Sequence, residues 1–275
     1  MRWFLLGLFG AVLMQAGFAQ PVQAQPAQSQ PAQEQQTPTP PAPAQPAAQA
    51  PPPAPAQPPA QAQAAPAIVG PVYAVTYFET APAAVRKTNA MLRQFSAATR
   101  KENGNTELTV LHEIGRPGRF AIVEAWRDKA AFDAHGAAMK ALGGQLQPAF
   151  ASPFEQRVFG SLSIGATPAA STGEAAGAVY VVTHVDVFPP GKDEAAALVK
   201  TLAEDSHKDA GVQRFDAVIM EGRPNHFHLI EVWSDRNARA AHVLADHTKQ
   251  FRAKVTPLEG ALYDERLYEV VKKTD

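Results

Sequence analysis

An internal repeat constrains this sequence more than any other feature. Residues 223–235 read RPNHFHLIEVWSD and residues 116–128 read RPGRFAIVEAWRD, and the two segments align without a gap at an offset of 107. Six of the thirteen positions are identical: Arg, Pro, Phe, Glu, Trp and Asp. Three further landmarks share the offset: VYAVTYFE with VYVVTHVD (residues 72–79 and 179–186), Gly104 with Gly211, and His135 with His242. The chain therefore carries two copies of one structural unit.

Each copy predicts the order strand, helix, strand, strand, helix, strand. In the second copy, residues 180–187 alternate like a strand, and the helical pattern that follows ends at Gly211. Residues 214–220 and 226–233 are predicted middle strands, and Asp235 is the predicted N-cap of a helix that continues to about Lys254. A last strand, LYDERLYEV, closes the unit. This is a ferredoxin-like βαββαβ repeat, and the fold class is α+β.

The third strand of the second copy indicates how the copies combine. Phe227, Leu229, Glu231 and Trp233 share one side of it, and Ile230 and Val232 share the other. Both sides carry apolar residues, whereas the helices of one unit cover only one face of its sheet. We therefore predict that the two sheets pack against each other and form one intrachain pseudo-dimeric α/β barrel.

The boundaries of the two repeats divide the chain into a leader, two linkers and two domains. Residues 1–24 have a basic start, a short apolar run and small residues, as in a signal peptide, and the alternative is an uncleaved N-terminal anchor. Residues 25–67 form a Pro/Ala/Gln-rich disordered linker, since 15 of the 25 prolines lie between Pro21 and Pro66. Residues 68–164 form domain 1, residues 165–178 a second linker, and residues 179–275 domain 2. We expect a periplasmic or secreted protein without a stable membrane span after signal cleavage.

Composition excludes several classes of site. The chain has no cysteine, so disulfides, thiolate chemistry and Cys-based metal sites are excluded. Its formal net charge is -1, and no basic stripe provides a footprint for nucleic acid. A small-molecule site or a protein surface is left.

The second copy resembles the antibiotic biosynthesis monooxygenase (ABM) family along nearly its whole length. The resemblance rests on residues 214–216 (RFD), on residues 225–235, on His242 and His247, and on YDERLY. The first copy is similar mainly through residues 116–128 and His135. The resemblance implies two tandem ABM-like domains, the first degenerate, in a dimeric α+β barrel. It also implies oxygenase activity on a small aromatic molecule, and it leaves open whether the fused unit dimerises again.

His184 is the first catalytic candidate. Thr183, Val185 and Val187 suit the face covered by helices, so His184 is predicted to point into the barrel. A neutral imidazole can remove a phenolic proton near neutral pH. The alternative is a strand-end histidine that a carboxylate or water satisfies. The first copy has Tyr77 at the matching position, which makes Tyr77 a substrate-contact candidate and the two half-sites inequivalent.

Trp233 and its counterpart Trp126 are candidates for stacking on a flat substrate at the inner rim of the barrel. Core packing alone would equally preserve them. Phe227 and Glu231 share the Trp233 side of the strand and are candidates for substrate contact. Glu231 and Glu124 need partners on a buried face, and we expect arginines such as Arg214, Arg266 or Arg157.

Three histidine motifs bear on metal and haem. His242 is a further catalytic candidate, because the resemblance to haem-degrading relatives implies an iron ligand on this helix. His247 is a candidate for substrate contact; the two lie about 140° apart on one helix, which is poor for a shared metal. The HFH motif at residues 226–228 has metal-compatible spacing, but no acidic cluster in the sequence completes it. We therefore predict no metal site.

The predicted function follows from these candidates. We expect a monooxygenase that uses dioxygen and no bound cofactor on a phenolic or quinol-type molecule, with His184 as base, Trp233 as stacking wall, and Arg214 and Asn225 as donors to the anion. One alternative is a protein that binds haem or another hydrophobic small molecule. Another is a structural envelope protein whose barrel is filled with side chains.

Overall fold

Each repeat folds in the predicted order. The computed structural model describes residues 68–165 and 177–271. In the first repeat the elements are β1 (Val72–Thr80), α1 (Val85–Thr99), β2 (Asn105–Glu113), β3 (Arg116–Trp126), α2 (Lys129–Leu146) and β4 (Phe150–Ser163). In the second they are β5 (Val179–Asp186), α3 (Lys192–Ser206), β6 (Val212–Met220), β7 (Arg223–Trp233), α4 (Arg236–Leu244), α5 (Asp246–Val255) and β8 (Asp264–Val270). The predicted leader, the Pro/Ala/Gln-rich segment and most of the predicted second linker lie outside the described residues.

The eight strands form one closed antiparallel barrel that confirms the predicted intrachain pairing of the repeats. The strand order is β1-β3-β2-β8-β5-β7-β6-β4. Two of the pairings join the repeats: β2 with β8, where Leu111 faces Val270, and β4 with β6, where Gly160 faces Ile219. Since neighbouring strands are antiparallel around the whole ring, β1 and β5 point the same way. The pseudo-twofold axis that relates the repeats therefore coincides with the barrel axis.

Both repeats bury residues in the same interior. The strands alternate: in β5, Val179, Val181 and Val185 pack against helices, whereas Tyr180 and Val182 pack inside the barrel. Tyr73 and Val75 of β1 lie in that interior cluster with them. The two apolar faces of each sheet thus have separate partners, the helices outside and the other repeat inside.

The glycine that both repeats keep has a steric reason. Gly104 and Gly211 adopt left-handed backbone conformations, with φ of +87° and +81°. A Cβ at Gly104 would lie 2.5 Å from the Cβ of Ala131, and one at Gly211 would lie 2.6 Å from the Cβ of Ala238. These turns therefore fix the start of β2 and β6 against the following helix.

The last helical region departs from the prediction of one helix up to about Lys254. Asp235 caps α4 as predicted, and its Oδ1 accepts from the backbone N–H groups of Asn237 and Ala238. Ala245 then adopts an extended conformation (φ −64°, ψ 148°), and α5 begins at Asp246. In the first repeat α2 is continuous. Among the helices in the described part of the chain, none is both long and apolar enough to cross a membrane.

Candidate functional site

Polar side chains from both repeats meet at one end of the barrel. We call this end the mouth; it is the end at which β1 and β5 finish, at Thr80 and Asp186. The interior-facing positions of β5 and β7 place four polar residues there: His184, Asp186, His226 and His228. Arg157 reaches them from β4 of the first repeat. The group therefore exists only because the two repeats close one barrel.

His184 is held between an arginine and a carboxylate. Arg157 Nη1 donates to His184 Nδ1 at 2.8 Å, and His184 Nε2 lies 2.8 Å from Asp186 Oδ1. Because a guanidinium can only donate, Nδ1 is the acceptor and the proton of the neutral ring lies on Nε2, facing Asp186. Arg157 is itself bonded to Glu155, at 2.6 Å from Nη2 to Oε1. The predicted interior position of His184 is confirmed.

Asp186 interacts with two imidazoles. His226 Nδ1 lies 2.6 Å from the same Oδ1 that faces His184. Burial alone would raise the pKa of Asp186, but the hydrogen bond from His184 and the charges of His184 and His226 lower it. Burial lowers the pKa of His226, and the Asp186 charge opposes this. Asp186 is thus an anion that can stabilise a positive charge on His184.

His228 supports the site from below. Its side chain is fully buried, with its ring 4.5 Å from that of His184 and 4.3 Å from that of Phe159. Burial lowers the pKa of His228 well below its usual value, and the nearby charges of His184 and Arg157 lower it further. His228 is therefore a neutral packing partner rather than a base.

The residues around His184 line an open cavity of about 500 Å³. Its volume lies within the range of small-molecule pockets, roughly 300–1,000 Å³. Its walls come from both repeats: Glu155, Gln156, Arg157, Val158, His184, Asp186, Met220, Glu221, Arg223 and His226. A polar-lined pocket large enough for a small molecule thus lies at the shared mouth.

The first repeat forms a different half-site beside it. The offset of 107 places Tyr77 at the position of His184, Glu79 at that of Asp186, and Arg119 at that of His226. Arg119 Nε pairs with Glu79 Oε2 at 3.2 Å, and a cavity of about 240 Å³ adjoins them. The residues that line this cavity include no histidine.

Tyr77 stands between the two half-sites. Its ring lies 5.5 Å from the Arg157 guanidinium carbon and 5.7 Å from that of Arg266. Burial raises the pKa of Tyr77, and the neighbouring Tyr268 adds to this, so the phenol stays protonated. Tyr77 lies at the mouth, as its equivalence to His184 predicts.

The inner-rim position expected for Trp233 is wrong. Trp233 is fully buried on the helix-facing side of β7, in one cluster with Phe227 and Phe215. Trp126 occupies the matching position in β3 and packs against Ala131 of α2. The strand alternation that brings His226 and His228 to the interior directs residues 227, 231 and 233 the other way. Trp233, Trp126, Phe227 and Glu231 therefore do not reach the cavity.

The arginine partners expected for the buried glutamates are also wrong. Glu231 Oε2 accepts from Trp233 Nε1 at 2.8 Å, and Glu124 lies 3.1 Å from His135 Nε2. Burial raises the pKa of Glu231 to about 8, against the lowering effect of the Trp233 hydrogen bond. Both carboxylates thus belong to the sheet–helix interface.

Arg214 and Asn225 are not placed to hold an anion at His184. Arg214 lies beside Val232 on β7, four residues from the position of His228, or about 13 Å along the strand. Its Nη1 contacts Glu107 at 2.5 Å and its Nε donates to Asp216 at 2.6 Å. Asn225 Nδ2 donates to the carbonyl of Val187 at 2.7 Å, which ties β7 to the end of β5. Both residues therefore have structural partners, and neither is among the residues that line the cavity.

His242 and His247 come together, contrary to the angle expected on one helix. The break at Ala245 turns α5, so that His242 Nδ1 and His247 Nε2 lie 2.7 and 3.1 Å from the same oxygen of Asp209. His242 also stacks on Trp233 at 4.6 Å, on the helix-facing side of the sheet. Its Nδ1 faces Asp209, and Thr248 Oγ1 lies 3.4 Å from Nδ1 and 3.5 Å from Nε2. Neither ring nitrogen faces an open space, so the residues present do not fit the haem ligation that the resemblance implies.

Sequence reasoning missed most of the mouth. The HFH motif pointed to His226 and His228, but the acidic partner, Asp186, lies on another strand, within VYVVTHVD. Arg157 comes from the other repeat, and only the β4–β6 pairing brings it near. The alignment of FEQRVF with YDERLY could have suggested it, since Arg157 matches Arg266 there.

Comparisons with known proteins agree with this architecture. A search of curated proteins found no match. A proposed monooxygenase from Lactobacillus acidophilus NCFM superposes with a TM-score of 0.62 at 15% identity, over 74% of this chain and 95% of that one. A second, from Fusobacterium nucleatum, has a TM-score of 0.63 at 18% identity, over 74% and 93%. An anthrone oxidase-like protein has a TM-score of 0.57 at 14% identity, over 74% and 92%. These likenesses concern the fold.

The family comparison concerns the chain itself. The family model described as antibiotic biosynthesis monooxygenase matches it twice, over residues 71–141 and 178–254. The two segments together make up more than half of the 275 residues, and each covers most of one repeat, from its first strand into its last helical region. The chain therefore belongs to the antibiotic biosynthesis monooxygenase family, with two tandem domains closed into one barrel.

Proposed function

We propose that the chain is a monooxygenase that oxidises a phenolic or quinol-type small molecule with dioxygen, without a bound cofactor, at the His184 half-site. One observation carries the proposal: the mouth cavity of about 500 Å³ brings the His184–Asp186 pair and Arg157 together. Family membership supports the reaction class. The proposal places the enzyme in the periplasm or outside the cell because residues 1–24 resemble a signal peptide.

The proposed first step is removal of a proton from the substrate hydroxyl. That hydroxyl replaces the Arg157 N–H at His184 Nδ1 and gives its proton to the ring. Asp186, beside Nε2, stabilises the imidazolium that results. Arg157 stays next to the new oxyanion and stabilises it electrostatically, a role that the sequence assigned to Arg214 and Asn225.

The oxidation needs no outside reductant. The deprotonated quinol transfers one electron to dioxygen, and the two radicals combine at a ring carbon. Loss of water then leaves a hydroxyquinone, so that one oxygen atom enters the product and the other leaves in water. For a 1,4-naphthoquinol the substrate itself supplies all the electrons, and the products are a hydroxynaphthoquinone and water.

The test is oxygen consumption with a 1,4-naphthoquinol, together with labelled dioxygen to follow oxygen into the quinone. We expect His184→Ala to reduce kcat/KM by about 10²–10⁴-fold, the usual contribution of a general base. His112→Ala is the matched control, because His112 lies on the outer face of β2 beside Glu269. Equal rates for His184→Ala and wild type would remove His184 from the mechanism.

A chelator separates the proposed chemistry from metal catalysis. His184, Asp186 and His226 place one ligand atom each within 4.8 Å of one another, a set that could hold a metal ion. We expect labelled oxygen incorporation to be unchanged after treatment with a chelator. Activity that disappears on chelation and returns with ferrous ion would contradict cofactor independence.

A non-catalytic role is the second candidate, and the packing of the barrel favours it. Below the mouth the interior is filled by large side chains, among them Tyr73, Phe159, Tyr180 and Tyr268. This is the pattern expected of a barrel that serves packing alone. Product formation no faster than autoxidation, together with the absence of a Soret band on haem titration, would support this role.

A further inference from the structure

Three potential ligand atoms converge on the helix side of the second repeat, away from the mouth. Asp209 Oδ2 lies 2.7 Å from His242 Nδ1 and 3.1 Å from His247 Nε2. The three side chains are 20%, 5% and 21% exposed, so that the group is accessible from solvent but not loosely held. His242 stacks on Trp233, seven residues along β7 from His226, or about 23 Å from the mouth.

The first repeat shows which part of this group is new. At the equivalent positions His135 Nδ1 lies 2.9 Å from Glu102 Oε2, and His135 lies 4.6 Å from the ring of Trp126. The histidine–carboxylate pair on a tryptophan is therefore a packing element that both repeats share. The second repeat adds His247, where the first repeat has Lys140.

The backbone also differs where the extra histidine is added. On a continuous helix, positions five apart diverge by about 140° and could not face one carboxylate. Residues 135 and 140 follow this rule, because α2 is unbroken from Lys129 to Leu146. The second repeat breaks the helix at Ala245, and the break turns His247 toward Asp209. The histidine at position 247 and the helix break at Ala245 together bring three potential ligands to one place.

We propose that Asp209, His242 and His247 form a binding site for a divalent transition metal, with Zn²⁺ as the best match to two imidazoles and one carboxylate. Zinc takes nitrogen and oxygen ligands at about 2.0–2.2 Å in a tetrahedron, which separates ligand atoms by about 3.3 Å. The contacts of 2.7 and 3.1 Å need to open by only a few tenths of an ångström. Water can complete the tetrahedron on the exposed side, beside Thr248 Oγ1, which lies 3.4 Å from His242 Nδ1.

The charges around the three ligands are compatible with a bound divalent cation. Asp205 adds negative charge near His247, although it also pairs with Lys208 at 2.7 Å. Arg239, which lies on α4 with His242, pairs with Glu265. A bound ion would fasten α5 to the turn after α3.

The proposal is tested by titrating the full chain, freed of any purification tag, with Zn²⁺ and counting bound ions by equilibrium dialysis. We expect His247→Lys, which installs the residue of the first repeat, to bind one ion fewer than wild type, or to bind it at least about tenfold more weakly. Zn²⁺ should raise the Tm of wild type more than that of His247→Lys. Circular dichroism confirms that the variant is folded.

The mouth cluster supplies the matched control. His226→Arg likewise installs the first-repeat residue, but at the other histidine group, and should keep the site at Asp209. Loss of that ion in His226→Arg but not in His247→Lys would overturn the proposal, as would a wild-type chain that binds no Zn²⁺. Neither result depends on oxygenase activity, so the metal site and the proposed function stand or fall separately.

Discussion

An ion pair on the pseudo-twofold axis gives the strongest prediction about how the repeats recognise each other. Arg214 and Glu107 are 107 residues apart and so occupy equivalent positions in the two repeats. They meet across the barrel interior at 2.5 Å, and Arg214 also pairs with Asp216 at 2.6 Å. In a symmetric dimer of either repeat the same position would face its own copy, arginine against arginine or glutamate against glutamate. The pair therefore favours pairing of the first repeat with the second.

The magnitude follows from burial. The side chains of Arg214, Glu107 and Asp216 are 5%, 13% and 1% exposed. Arg214→Met leaves two carboxylates in the interior without their cation, which costs about 3–5 kcal/mol for a buried pair broken on one side. For a barrel of this size, about 2–4 °C of Tm per kcal/mol gives a fall of roughly 6–20 °C.

The assay is urea unfolding followed by circular dichroism, supported by thermal unfolding. Arg127→Met is the matched control, because Arg127 pairs with Asp128 at the surface and should lose less than about 1 kcal/mol. The exchange Glu107→Arg with Arg214→Glu should recover only part of the loss, since Asp216 would then lie beside a glutamate. If Arg214→Met unfolds within about 1 kcal/mol of wild type, the pair does not hold the repeats together.

Three further outcomes follow from the packing. Trp233→Ala should lower the free energy of unfolding by about 3–5 kcal/mol and leave kcat/KM for the naphthoquinol unchanged below the Tm, because Trp233 packs against the helices; a selective loss of kcat/KM would contradict its position. Burial raises the pKa of Glu231 from 4.5 to about 8, so the stability that Glu231 contributes is complete below pH 4.5 and is lost as the pH rises to about 8. Urea unfolding at several pH values should show this loss, on the order of a few kcal/mol, in wild type but not in Glu231→Gln. The second repeat alone, residues 177–275, should not form a stable homodimer by size-exclusion chromatography but should reassemble with residues 68–165; a stable homodimer would show that Arg214 does not set the pairing.

The barrel could be predicted from the sequence because the repeat and the strand alternation both indicate that the two sheets pack against each other. Each strand that is apolar on both sides needs two covers, and two copies on one chain provide them. The helix break at Ala245 could not be predicted, since no glycine or proline marks it. It accompanies long-range contacts, such as that of His247 with Asp209, which the local sequence does not show. The local sequence pattern determines where helices and strands form, whereas an irregularity such as this helix break depends on long-range contacts.

The candidate site was predicted less completely for a related reason. Alternation along β5 was enough to direct His184 inward. For β7 alternation separated two faces but did not say which one was inside, and the aromatic Trp233 drew the site to the wrong face. Arg157 depended on a pairing between repeats that is remote in sequence. The composition of the mouth therefore became clear only from the structure of the closed barrel.

One pair of variants is the most direct test of whether catalysis takes place only at the half-site of the second repeat. Asp186→Asn and Glu79→Gln change equivalent carboxylates, one beside His184 and the other beside Arg119, without changing side-chain size. We predict that Asp186→Asn lowers kcat/KM for oxygen incorporation into the naphthoquinol by at least about a hundredfold, while Glu79→Gln stays close to wild type. Equal losses in both variants, or a loss confined to Glu79→Gln, would contradict this prediction.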